Sequence, residues 1–196
     1  MTPEQFIAQL RRQKSTLQVA AEQALEEAAK ATHMKVTGRI FTAGKAADDS
    51  KIGNYSTKEL VVSKKAFHNK AAFKQSTRAN KSGGTRPMYI KFPNAKKATP
   101  VMILPGGYKQ LKQIQGMRSG YVDLVYSGRT QRAFLGSLRK FGRYGWAAIM
   151  RGTKTAEKAV LNENKFGKKI FALTKEEEVF FSRRFVSTFN KKAQID

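Results

Sequence analysis

Between Pro3 and Gly38 the chain contains neither glycine nor proline, and a stretch that long without a helix breaker has few ways to fold. Thr2 is placed to cap it, Pro3 suits a first helical turn, and Glu4 sits where the helix dipole favours an acid. The spacing predicts one helix over residues 3–33. Phe6, Leu10, Leu17, Ala21, Ala24 and Ala28 recur at three, four or seven, a stripe that is bulky early and small later. Small residues let a second element approach closely. At 1.5 Å per residue the helix is roughly 45 Å long, more than one small sheet can cover, so part of it is expected to meet a neighbouring subunit.

The charge is the second constraint. Of 38 Lys+Arg and 14 Asp+Glu, residues 1–50 hold 7 basic and 6 acidic side chains, residues 51–155 hold 22 and 2, and residues 156–196 hold 9 and 6. Between Glu59 and Glu157 the only acid is Asp123. The surplus of +24 is therefore concentrated in the middle of the chain, where its cations must face water or an anionic partner. With 196 residues and 40% apolar content the chain is long enough for a single domain, 1–196, with a real core.

The same composition limits chemistry. The absence of cysteine excludes a disulfide scaffold, thiolate metal sites and thiol nucleophiles. His33 and His68 have no carboxylate at ligand spacing. Two-metal hydrolysis and glycoside hydrolysis need converging carboxylates, and the middle section offers only Glu59 and Asp123. No G-x-S-x-G elbow presents a serine, and no G-x-x-x-x-G-K-[ST] loop accompanies Gly106-Gly107, so these glycines read as a turn and not as a phosphate cradle. Asp123 reads as a salt-bridge or turn acceptor. No catalytic residue, metal, cofactor or small-molecule substrate is expected, and neither a membrane span nor a secretory signal.

After the first helix, residues 39–57 read as an ordered loop pinned by Ile40, Phe41, Ile52 and Tyr55. Leu60–Val62, Met88–Phe92, Val101–Leu104, Val122–Tyr126 and Tyr144–Met150 are strand candidates. Short helices are expected over 108–115 and 155–162, and a longer one from Arg129 to about Phe141, with Phe134, Leu135 and Leu138 inward. Residues 63–87 form an extended basic loop without a clear period. Thr174-Lys175-Glu176-Glu177 is a capping box that opens a C-terminal helix of roughly 16 residues. The class is α+β: long N-terminal and C-terminal helices on a small, mostly antiparallel sheet, with the main core at 101–190.

Three blocks, in this order, resemble the phage tail-completion and head-tail joining (virion morphogenesis) proteins, of the kind found in phages of Bacteroides-like hosts. Asp49 to Lys58, with Ile52, Gly53 and Tyr55, is similar to that family's D-G-x-x-I-G-x-Y-S loop. Gly106-Gly107-Tyr108-Lys109 through Gly116 to Val122-Asp123-Leu124-Val125-Tyr126-Ser127-Gly128 resembles its G-G-Y-K…G…V-D-L-x-x-T/S-G segment. Asn164 to Glu178, with Phe166 and Gly167, looks like its approach to the last helix, although Lys168 stands where an arginine is often found.

The resemblance implies a structural protein of the virion neck or upper tail, made in the host cytoplasm, with no enzymatic activity. It implies a homo-oligomeric ring, twelvefold beside a portal or sixfold on the tail side, that contacts portal, neck and tail proteins and packaged double-stranded DNA. The residues expected to face DNA or acidic neighbour rings are Lys64, Lys65, Lys70, Lys74, Arg78, Lys81 and Arg86. A different class is a non-sequence-specific nucleic-acid-binding module using the same loop with Phe67 and Phe73. A ribonucleoprotein component is allowed by the basic pI but has no motif.

Overall fold

The computed structural model describes residues 2–64, 67, 86–90, 99–124, 128–150 and 153–194. The chain is α+β and divides into two compact units, Met1–Ser50 with Thr130–Asp196, and Lys51–Arg129.

In the first unit, α1 spans Pro3–Thr37. Its start is reciprocal: Thr2 Oγ1 accepts from the Gln5 amide and Gln5 Oε1 accepts from the Thr2 amide, with Pro3 just inside. The helix does not stop at Gly38, which keeps right-handed helical dihedrals; the chain widens into a π-helix, Gly38–Ala43, and ends at Gly44 with φ 66°. Arg39, Ile40 and Phe41 are consecutive and all buried there, so the expected loop begins as helix. The C-terminal half of α1 buries Ala20, Ala24, Ala28 and Ala29.

The rest of this unit comprises α3 (Arg129–Leu135, its first residue across the division), the antiparallel hairpin of β4 (Leu138–Phe141) and β5 (Gly145–Ala148), α4 (Thr153–Phe166) and α5 (Lys175–Ala193). The alanines on α1 let α5 lie close and antiparallel to it. Lys35 pairs with Glu176 near one end, and Glu27 with Lys192 near the other. Phe134 anchors an aromatic cluster, with its ring centroid 4.6 Å from His33, 5.9 Å from Phe41 and 5.5 Å from Phe171.

The expected helix from Arg129 to Phe141 is shorter. The Gly136 and Ser137 amides close the last turn on the Arg132 and Phe134 carbonyls, and the chain then extends into β4. Phe134 is buried as expected, Leu135 is exposed, and Leu138 lies on a strand. The helices expected over 155–162 and from Thr174 run further, to Thr153–Phe166 and Lys175–Ala193.

The second unit holds β1 (Leu60–Ser63), β2 (Arg86–Ile90), β3 (Thr99–Leu104) and α2 (Gly107–Ile114). The sheet is antiparallel in the order β1-β3-β2, and with the β4–β5 hairpin the described residues hold two small sheets and not one. The apolar run Val101–Leu104 takes the centre, with Val101, Met102 and Leu104 at most 2% exposed. Pro87 falls on the edge strand β2, where a missing amide is tolerated. Val62, Phe67, Met102, Leu104 and Leu111 form the core, covered in part by Leu60, Tyr108 and Ile114.

Candidate interaction surface

In the second unit the first two motif blocks meet. Tyr55 Oη donates to Asp123 Oδ1 at 2.7 Å, and Lys112 Nζ donates to both that oxygen and Tyr55 Oη at 2.8 Å. The Lys112 ammonium also lies 4.6 Å from the Tyr55 ring centroid, and the Tyr108 ring is 5.3 Å from that of Tyr55. Lys112 is 1% and Asp123 5% exposed. Burial, and then the Asp123 hydrogen bond, hold the Tyr55 hydroxyl above the usual tyrosine range. A charge pair so enclosed holds three segments together; it is closed to substrate.

This pairing overrides the strand expected over Val122–Tyr126. Val122 donates its amide to the Gly53 carbonyl, but the backbone then turns to bring Asp123 inward, and Leu124 takes a left-handed φ of 53°. Val125, Tyr126 and Ser127 lie outside the described residues. Gly128 has φ 70°. Ile52, expected to pin the loop, is 1% exposed.

Gly106 and Gly107 form a turn, as expected, with distinct roles. Gly106 caps α2 at φ −81° and donates its amide to Gln110 Oε1. Gly107, at φ 65°, lies so close to the loop that a Cβ would stand 2.3 Å from the Lys58 carbonyl oxygen and 2.7 Å from that of Ser56. The third block lies in the first unit: Phe166 ends α4, and Gly167 at φ 63° turns the chain toward Ile170, whose amide, with that of Phe171, is accepted by Glu163 Oε1.

Sequence reasoning missed the partners. Lys112 follows Tyr108 by four and Leu111 by one, which places it on the inward side of α2, a signal that its charge masked. Arg39 was absent from the expected sites as well. Its Nε donates to Glu177 Oε1 at 2.8 Å, and its Nη atoms donate to the carbonyls of Lys45, Ile170 and Ala172. Glu177 is also the capping-box residue of α5, with Oε2 accepting from the Thr174 amide.

Of the expected partner-facing cations, Lys64 is exposed directly after β1, and Arg86 opens β2 opposite Ile103. Lys65, Lys70, Lys74, Arg78 and Lys81 lie outside the described residues. Residues 51–129 hold sixteen Lys+Arg and two acids, a net +14. Asp123 is buried against Lys112, which leaves Glu59 as the one exposed carboxylate of that unit.

The first unit differs. Glu22 accepts from both Lys140 and Arg143 of the hairpin, Glu26 pairs with Lys30, and Glu27, Glu176, Glu177 and Asp49 are also paired. The hydrogen bond from Arg143 holds the Glu22 carboxyl below the ordinary glutamate range. This unit also leaves apolar side chains open. Every residue from Thr2 to Leu17 is exposed, including Phe6 at 52%, Leu10 at 48% and Leu17 at 41%.

Among the described residues no group of three His, Asp or Glu is placed to hold a metal ion, and no helix is long and apolar enough to cross a membrane. Comparison with family models, with curated proteins and with solved structures finds no match.

Proposed function

We propose that this chain is a structural component of a phage neck or upper tail, a homo-oligomeric ring that joins head to tail, with residues 51–129 turned toward DNA or acidic neighbouring rings. The observation that carries this reading is the charge partition. A +14 unit with only two acids, one of them sealed in its core against Lys112, retains its field for an external polyanion. Double-stranded DNA, with one negative charge per about 1.7 Å of axis, supplies such a partner without sequence readout.

Assembly draws support from α1. A stretch of about 15 helical residues is marginal in water by itself, and here its apolar side chains Phe6, Leu10 and Leu17 stay about half exposed. A neighbouring copy would cover them, and head-to-tail repetition of such a contact closes into a ring. The test is protein identification in purified particles together with sedimentation of the isolated chain. Presence in mature particles and a discrete oligomer are expected; absence from particles would overturn the assignment.

A further inference from the structure

The β4–β5 hairpin carries a surface that none of these roles uses. Its register pairs Arg139 with Ala147, Lys140 with Trp146 and Phe141 with Gly145. Directly opposed residues share a face and neighbours along a strand alternate. Lys140 and Trp146 therefore share one face, and Lys140 reaches Glu22 on α1. Arg139 and Phe141 share the other.

On that outward face Phe141 is 73% exposed, the most exposed of the large apolar residues described. Its cross-strand neighbour has no side chain and is not free to acquire one: a Cβ on Gly145 would stand 2.3 Å from the Phe141 carbonyl oxygen. The next pair sets Arg139 against Ala147, again a small residue. The result is an aromatic ring with an open flank and, with its Cα about 7 Å along the strand, the exposed Arg139, whose Nη1 donates to the Leu138 carbonyl at 3.1 Å, on a ribbon where Lys140 and Arg143 are held by Glu22. Between Asp123 and Glu157 the sequence contains seven Lys+Arg and no acid.

We infer that this face binds single-stranded nucleic acid, with Phe141 stacking on a base and Arg139 meeting a neighbouring phosphate. Charge complementarity selects the polyanion, and the open ring selects a strand whose bases are unpaired. The contact is sequence-tolerant, since every base offers a flat π-face. It is separate from the +14 unit, whose attraction for phosphate does not depend on exposed bases.

The experiment measures binding of the full chain to a fluorescent oligothymidylate of about 16 nucleotides and to an abasic strand of equal length, at about 0.3 M salt to suppress phosphate attraction. The wild-type chain should prefer the strand that carries bases. Phe141→Ala should weaken thymidylate binding about 5- to 100-fold and leave abasic binding unchanged, whereas Phe141→Trp should retain the preference. Arg139→Ala should weaken both and lower the salt slope by about 1. Circular dichroism of each variant should match the wild type, because both side chains project outward. Equal wild-type affinity for the two strands, or thymidylate binding unchanged by Phe141→Ala, would overturn the inference. So would a Phe141→Ala loss seen only with anionic phospholipid vesicles, which would give the face to a membrane surface.

Discussion

Arg39 and Glu177, 138 positions apart, form a 2.8 Å ion pair in which both side chains are less than a tenth exposed. The pair joins the π-helix after α1 to the first turn of α5, and the remaining guanidinium donors satisfy carbonyls of Lys45, Ile170 and Ala172. One carboxylate thus serves a buried charge and a helix cap together.

Removal of one partner leaves the other buried and uncompensated. Glu177→Ala should cost about 3–5 kcal/mol, with about 1 kcal/mol more for the lost cap. Lys35→Ala, which breaks the exposed pair with Glu176, should cost about 1 kcal/mol or less. Urea denaturation followed by circular dichroism measures the contrast, and similar losses for the two variants would contradict it.

Tyr55 makes the second unit sensitive to alkali. Burial raises its folded-state pKa above the unfolded value of about 10, so the protonated hydroxyl is favoured by folding. Its contribution is complete below about pH 10 and is lost as pH rises beyond that. Tyrosinate absorbance should show one late-titrating tyrosine that is missing from Tyr55→Phe, and that variant should lose less stability between neutral and alkaline pH.

Two glycines of like φ should respond differently. Gly116 has φ 67° and open space around it, so Gly116→Ala should cost about 1–2 kcal/mol from backbone strain. Gly107→Ala adds overlap with the Lys58 and Ser56 carbonyls, which no rotamer relieves. The second unit should then fail to fold, read as lost protection of the Met102 and Leu104 amides in hydrogen exchange.

Polar replacement on α1 should separate folding from assembly. Phe6→Ser with Leu10→Ser should change monomer stability by about 0.5 kcal/mol or less, since both side chains are already exposed. Sedimentation velocity should nonetheless show loss of the oligomer. An unchanged oligomer would place the contact elsewhere.

The sequence made the punctuation legible. Thr2 with Pro3, and Thr174 with Glu177, mark helix starts because capping is local chemistry. The apolar run at Val101–Leu104 became the central strand because every residue in it can be buried. Tertiary pairing was not legible. The alternation at Val122–Tyr126 satisfied a strand pattern, yet at its described start the pull of Lys112 and Tyr55 on Asp123 decided the backbone. The first helix read as residues 3–33, short of Gly38, but right-handed dihedrals are open to glycine also, and the burial of Arg39 to Phe41 carried the helix on. Among the motif residues, Tyr55, Tyr108 and Asp123 do meet, while Lys112, which joins Tyr55 to Asp123, lay hidden by its charge.

Electron microscopy of purified particles, with the neck resolved well enough to trace this chain, tests the central claim most directly. A closed ring of copies is expected, with contacts between copies through residues 3–17 and with residues 51–129 against DNA or acidic neighbouring surfaces. A traced ring in which residues 51–129 meet only solvent, or a neck without this chain, would contradict it.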